Sequence, residues 1–109
     1  MGFGASQARL LMLTARKSDL ELTLQFIQQA RMQLANMTSA LFSSGANLDP
    51  NSAQAKWIES QTAVIQQKDK VMEMQSQQIT NQHDAVQTEL EAVNKVIQKN
   101  VESTFKLMG

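Results

Sequence analysis

Apolar side chains return at every seventh position along most of this chain. Leu13, Leu20, Ile27, Leu34 and Leu41 form one unbroken column, with Leu10, Leu24 and Phe42 beside it. A period of seven held over four heptads belongs to a helix, because a strand changes face at every residue. Gln, Ala, Leu, Arg and Met, all good helix formers, fill the intervals. The column predicts a helix over about 6–42, with Ser6 as its capping residue. Ser18 and Glu21 spell a capping box within it, but the column runs straight through, so no second start is expected there.

A break comes next. Ser43-Ser44-Gly45 reads as a helix end, with Gly45 suited to the left-handed conformation beyond the last turn. Asp49 reads as the next N-cap and Pro50 as the first helical residue, where a missing N–H costs nothing. Ile58, Ile65, Met72, Ile79, Val86 and Val93 then form a second unbroken column, which Leu90, Ile97, Val101 and Phe105 widen towards its end. No Gly or Pro interrupts 51–108. The turn is therefore placed at about 43–49 and helix 2 at about 50–107, so the whole of 1–109 makes one domain. The fold expected is all-α: two long amphipathic helices in an antiparallel, coiled-coil-like hairpin. Its seam is formed by the two columns. At 1.5 Å per residue, helix 2, at roughly 85 Å, should outrun helix 1, at roughly 55 Å.

The chain also carries apolar residues that a lone hairpin does not use. Leu11, Ala15, Leu22 and Phe26 lie roughly 140–180° around helix 1 from the Leu13 column, and Met37 roughly 120°. On helix 2, Trp57, Val64 and Val71 form a stripe beside the Ile58 column, with Met74, Ala85, Ala92 and Val96 further round. Two apolar faces on a surface helix imply two packing partners, and two straight helices offer no third element. Leu11, Leu22, Phe26, Met37, Trp57, Val64 and Val71 are therefore the candidate subunit interface, and oligomerisation is expected to complete the core. Left bare, such residues make an aggregation-prone patch.

Composition agrees with that picture and removes several function classes. Of 109 residues, 42% are hydrophobic but only 5% aromatic and 18% charged, and Gln supplies much of the polar surface. Neutral polar side chains are easier to desolvate between neighbours than charged ones. There is no cysteine, so disulfides, Cys-based zinc sites and thiol nucleophiles are excluded. Ten basic residues balance ten acidic ones, which leaves no basic stripe for nucleic acid. No stretch approaches the ~20 apolar residues of a membrane span, and no signal-peptide pattern opens the chain. Met1-Gly2-Phe3-Gly4-Ala5-Ser6 formally fits a myristoylation pattern of few specified positions. Asn36-Met37-Thr38 fits a glycosylation sequon inside a helix. Neither is given weight.

No catalytic or metal constellation emerges. His83 is the only histidine and has no ligand partner three or four residues away, so it is read as a solvated surface residue. Asp84, Glu89, Glu91 and Glu102 scatter around helix 2, and Lys95 comes after Glu91 at the spacing of a solvent pair. With glycine near the termini and in the turn only, no phosphate-cradling loop exists. No cofactor is expected, and the chain reads as a non-enzyme.

The turn Gly45-Ala46-Asn47-Leu48-Asp49-Pro50-Asn51-Ser52, the Gln-rich helix 2 and the closing run Val93-Asn94-Lys95-Val96-Ile97-Gln98-Lys99-Asn100-Val101 resemble, in outline, small helical-hairpin subunits of bacterial export filaments. Type III secretion needle proteins and the inner-core helices of flagellar axial proteins are the families concerned. The chain is longer than needle subunits, and Phe105-Lys106-Leu107-Met108-Gly109 departs from their usual terminus. Secreted hairpins with a Trp-x-Gly turn are similar in size, but Trp57 here is followed by Ile58 and Glu59. The first resemblance implies a self-assembling filament or tube subunit whose partners are its own copies and an export machinery. Such a subunit is secreted or surface-exposed without a cleavable signal peptide; otherwise a cytoplasmic protein is expected. The alternative is a discrete oligomeric adaptor or secretion chaperone whose second apolar stripe receives a partner helix. The sequence leaves both a closed hairpin and one opened about Gly45, its helices paired with different neighbours.

Overall fold

A computed structural model describes residues 2–108. Two helices account for nearly all of them: α1 over Phe3–Gly45 and α2 over Ala53–Met108, joined by residues 46–52. The all-α antiparallel hairpin expected from the two columns is the fold observed.

Each end of the connection lies three residues beyond its expected place. Ser43, Ser44 and Gly45 do not stop α1. The Ser44 hydroxyl donates back to the Ala40 carbonyl at 2.9 Å, a bond that lets a serine sit inside a helix. Gly45 is the last helical residue and no glycine in the described residues has positive φ, so the left-handed cap expected there does not form. Space explains the glycine instead. A Cβ on Gly45 would stand 3.3 Å from Ile58 Cδ1. The chain then turns through Asp49-Pro50-Asn51-Ser52, where the Ser52 N–H donates to the Asp49 carbonyl (2.9 Å) and the Asn51 N–H to Asp49 Oδ1 (3.0 Å). Asp and Pro at the first two positions suit a type I turn. Asp49 and Pro50 therefore precede α2 and do not begin it. The cap is Ser52, whose Oγ accepts from the Ala55 N–H at 3.1 Å.

The start of α1 also differs. Its first hydrogen bond runs from the Ser6 N–H to the Gly2 carbonyl (3.0 Å), so Ser6 lies inside the helix and caps nothing. It belongs to the seam, one heptad ahead of Leu13, and is fully buried.

Both helices take heptad letters a–g, with Leu13 and Ile58 at d. The chain divides into two units, each an antiparallel helix pair. One joins α1 up to Thr23 with α2 from Ile79 onward. Here Leu13, Val86, Leu90 and Val93 form the buried cluster, with Leu10, Leu20 and Ile97 packed on it. The other spans Leu24–Gln78, where Ile65 is buried and Ile27, Leu34, Leu41, Ile58 and Met72 are half-buried. Within each unit, residue numbers rise on one helix as they fall on the other. Arg9 meets Glu89 and Glu21 meets His83 in the first; Arg31 meets Asp69 and Gly45 meets Ile58 in the second.

Candidate assembly surface

The seam has two columns, and they differ in chemistry. Every d residue foreseen for it (Leu13, Leu20, Ile27, Leu34, Leu41, Ile58, Ile65, Met72, Ile79, Val86 and Val93) is buried or half-buried. The a column is mixed: Lys17, Arg31 and Thr38 on α1 and Thr62, Asp69, Ser76, His83 and Thr104 on α2 are polar. Phe3, Leu10, Leu24, Ala55, Leu90 and Ile97 are apolar there, and Gly45 brings no side chain. Several of these polar residues find partners within their own unit. Arg31 holds Asp69 with a two-pronged contact, Nε to Oδ1 at 2.8 Å and Nη2 to Oδ2 at 3.3 Å. The fork geometry suits a planar carboxylate. That hydrogen bond, more than simple charge attraction, holds the Asp69 carboxyl below the usual carboxylate range, and it raises the Arg31 guanidinium. Thr38 and Thr62 turn their hydroxyls back onto the Leu34 and Ile58 carbonyls.

His83 is not the solvated flank residue that its neighbours in sequence suggested. It occupies an a position, its side chain is 24% exposed, and its Nε2 lies 3.0 Å from Glu21 Oε1 across the seam. Asp84 is 3.9 Å from the other ring nitrogen. Glu89, also read as a solvent group, pairs with Arg9 at 2.8 Å, both half-exposed. The polar half of the seam was findable: writing out every seventh residue from Leu10 and from Ala55 picks up Arg31, Asp69 and His83. An apolar column is conspicuous in a sequence and its polar neighbour is not.

Two broad sides flank each helix pair. In an antiparallel pair the g and c positions of both helices share one side, and e and b share the other. Arg9 and Glu89 are both g residues, and beside them a groove of about 690 Å³ is lined by Ala5, Ala8, Met12, Ala85 and Gln82. On the e/b side of the Leu24–Gln78 unit, a groove of about 450 Å³ holds Ala35, Gln66, Lys70 and Glu73 next to the Arg31–Asp69 pair. Both grooves are open to solvent. Arg9, Glu89, Arg31 and Asp69 in them face cross-seam partners, and among the described residues no cluster could hold a metal ion.

Five of the seven candidate interface residues share one side of one unit. Phe26 and Met37 of α1 and Trp57, Val64 and Val71 of α2 occupy c and g positions in the Leu24–Gln78 unit, between 43% (Val64) and 60% (Phe26) exposed. Leu11 and Leu22 belong to the other unit at positions b and f, and are also exposed. A separate exposed cluster, Phe3, Val101, Phe105 and Met108, gathers near the chain ends. No described helix is long and apolar enough to cross a membrane. No family model matches the chain, and neither a curated protein nor a solved structure matches it significantly.

Proposed function

We propose that this chain is a non-enzymatic structural subunit that assembles with copies of itself into a filament or tube. One observation carries the reading: large apolar side chains stand exposed in more than one place on the helix pairs. Phe26, Met37, Trp57, Val64 and Val71 share the g/c side of the Leu24–Gln78 unit, Leu11 and Leu22 lie elsewhere on α1, and Phe3, Val101 and Phe105 form a third group. A protein that works alone seldom exposes this much, and scattered single residues would not cluster. A single self-matching patch closes a dimer, whereas further patches of different composition allow contacts that propagate. The likeness of the turn and of α2 to export-filament subunits points the same way.

Negative-stain electron microscopy, with light-scattering mass across a concentration series, tests this. Long particles of uniform width, and a mass that grows with concentration, are the expected result. One fixed mass of two or four chains without filaments would reject the filament and favour the adaptor.

A further inference from the structure

We infer that the g/c side of the Leu24–Gln78 unit is the contact between two copies of this chain, each seating its own Phe26, Met37, Trp57, Val64 and Val71 against the other's. The inference rests on the self-assembly reading and names the surface it uses first.

The side has the composition of an interface centre. Its c and g positions are Phe26, Ala30, Gln33, Met37, Ala40 and Ser44 on α1, and on α2 Gln54, Trp57, Gln61, Val64, Lys68, Val71, Gln75 and Gln78. Lys68 is the only charge among them. Aromatic and Met enrichment with charge depletion marks the buried centre of protein contacts. The opposite side of the same unit also exposes Met32 and Phe42, but sets Lys56, Glu59, Lys70 and Glu73 around them, and four charges make it costlier to desolvate.

Area and periodicity choose the occupant. With aromatic residues presenting 150–250 Å² in full, the five side chains at their observed exposures offer roughly 500 Å² per copy. Two copies together reach about 1,000 Å² before the flanking Ala and Gln are counted, the lower threshold for a specific contact. Trp57, Val64 and Val71 repeat every seven residues, with Gln61 and Lys68 between them. Knobs at that spacing fit gaps at the same spacing, as in helix bundles. A second copy has the matching period by construction, whereas another partner must happen to share it. A lipid surface fits poorly, because interfacial helices carry an excess of Lys and Arg opposite their apolar face. Here the opposite side balances two lysines with two glutamates.

Trp57 is the only tryptophan, so the intact chain reports on its own interface. Its emission and its quenching by iodide would be followed across a concentration series alongside light-scattering mass. Emission should move to the blue and quenching fall in step with the rise in mass. Val64→Asp and Val71→Lys should keep their helical circular dichroism. Both should shift that transition to concentrations about tenfold higher or more. If mass rises while Trp57 stays open to iodide, and both variants assemble like the parent, copies join elsewhere: this inference falls and self-assembly stands. A one-chain mass at every concentration overturns both. A blue shift that appears only on adding phosphatidylcholine vesicles overturns the protein partner in favour of lipid.

Discussion

Ser6 illustrates how a residue's place in the heptad outranks its local chemistry. As a small polar residue near the start of a helical run it suggests a cap, yet α1 begins at Phe3 and carries Ser6 into the seam. There its hydroxyl is buried without a hydrogen-bond partner among the described residues. An unmet buried donor costs about 1–3 kcal/mol. Ser6→Ala is therefore expected to stabilise the chain by about 1 kcal/mol, read as a higher urea midpoint at fixed protein concentration. The two candidate caps of α2 invite the same comparison. Ser52 accepts from the Ala55 N–H, whereas Asp49 only braces the turn before it. Ser52→Ala should cost about 1 kcal/mol and Asp49→Ala less. A larger loss at Asp49 would restore it as the cap.

At the scale of the element, the apolar d columns made both helices legible, because Leu and Ile at a strict seven-residue interval leave little else for the chain to be. The turn was legible in kind but not in place: Gly45 and Pro50 signal a break without saying which serves packing and which serves the backbone. Gly45 serves packing. Gly45→Leu, which adds three carbons beyond that Cβ, should lower the urea midpoint more than Gly45→Ala does. The a column could be written out from the sequence, but its pairings could not, since Arg31 and Asp69 lie far apart in sequence and each alone looks like a surface charge. Their pairing makes a definite pH prediction. The folded state lowers the Asp69 pKa, so the native chain binds fewer protons there than the unfolded one. The stability this supplies is complete above the ordinary Asp range near 3.9. It is lost as pH falls through the lowered folded value. Asp69→Asn should therefore be less stable than the parent in urea at pH 7, and the gap should narrow in acid. A gap that persists unchanged at pH 2 would mean Asp69 matters for shape and not for charge.

For the whole molecule, the apolar residues left over after the seam is filled are the ones that bear on function, and they are not equivalent. Phe26 lies on the g/c side of its unit with Trp57 and Val64, while Leu22 points from an f position of the other unit. Sequence alone grouped them, because both lie well away from the Leu13 column. Under the proposed assembly they do different work. Phe26→Asp plants a charge in the contact between two copies, so it should keep normal helicity and leave Trp57 open to iodide at whatever mass the variant reaches. Leu22→Asp leaves that contact intact and removes apolar surface needed for further growth. Its light-scattering mass should then rise to two chains and stop, with Trp57 protected and no filaments on the grid. Both residues are about half exposed or more in one chain, so neither change should unfold it. Loss of helical circular dichroism in either variant would place that side chain in the core of the single chain. The argument for a second apolar surface would then fail at that residue. If instead both variants remain single chains, Phe26 and Leu22 serve one contact, and pairing of like surfaces gives way to a head-to-tail contact between the two patches.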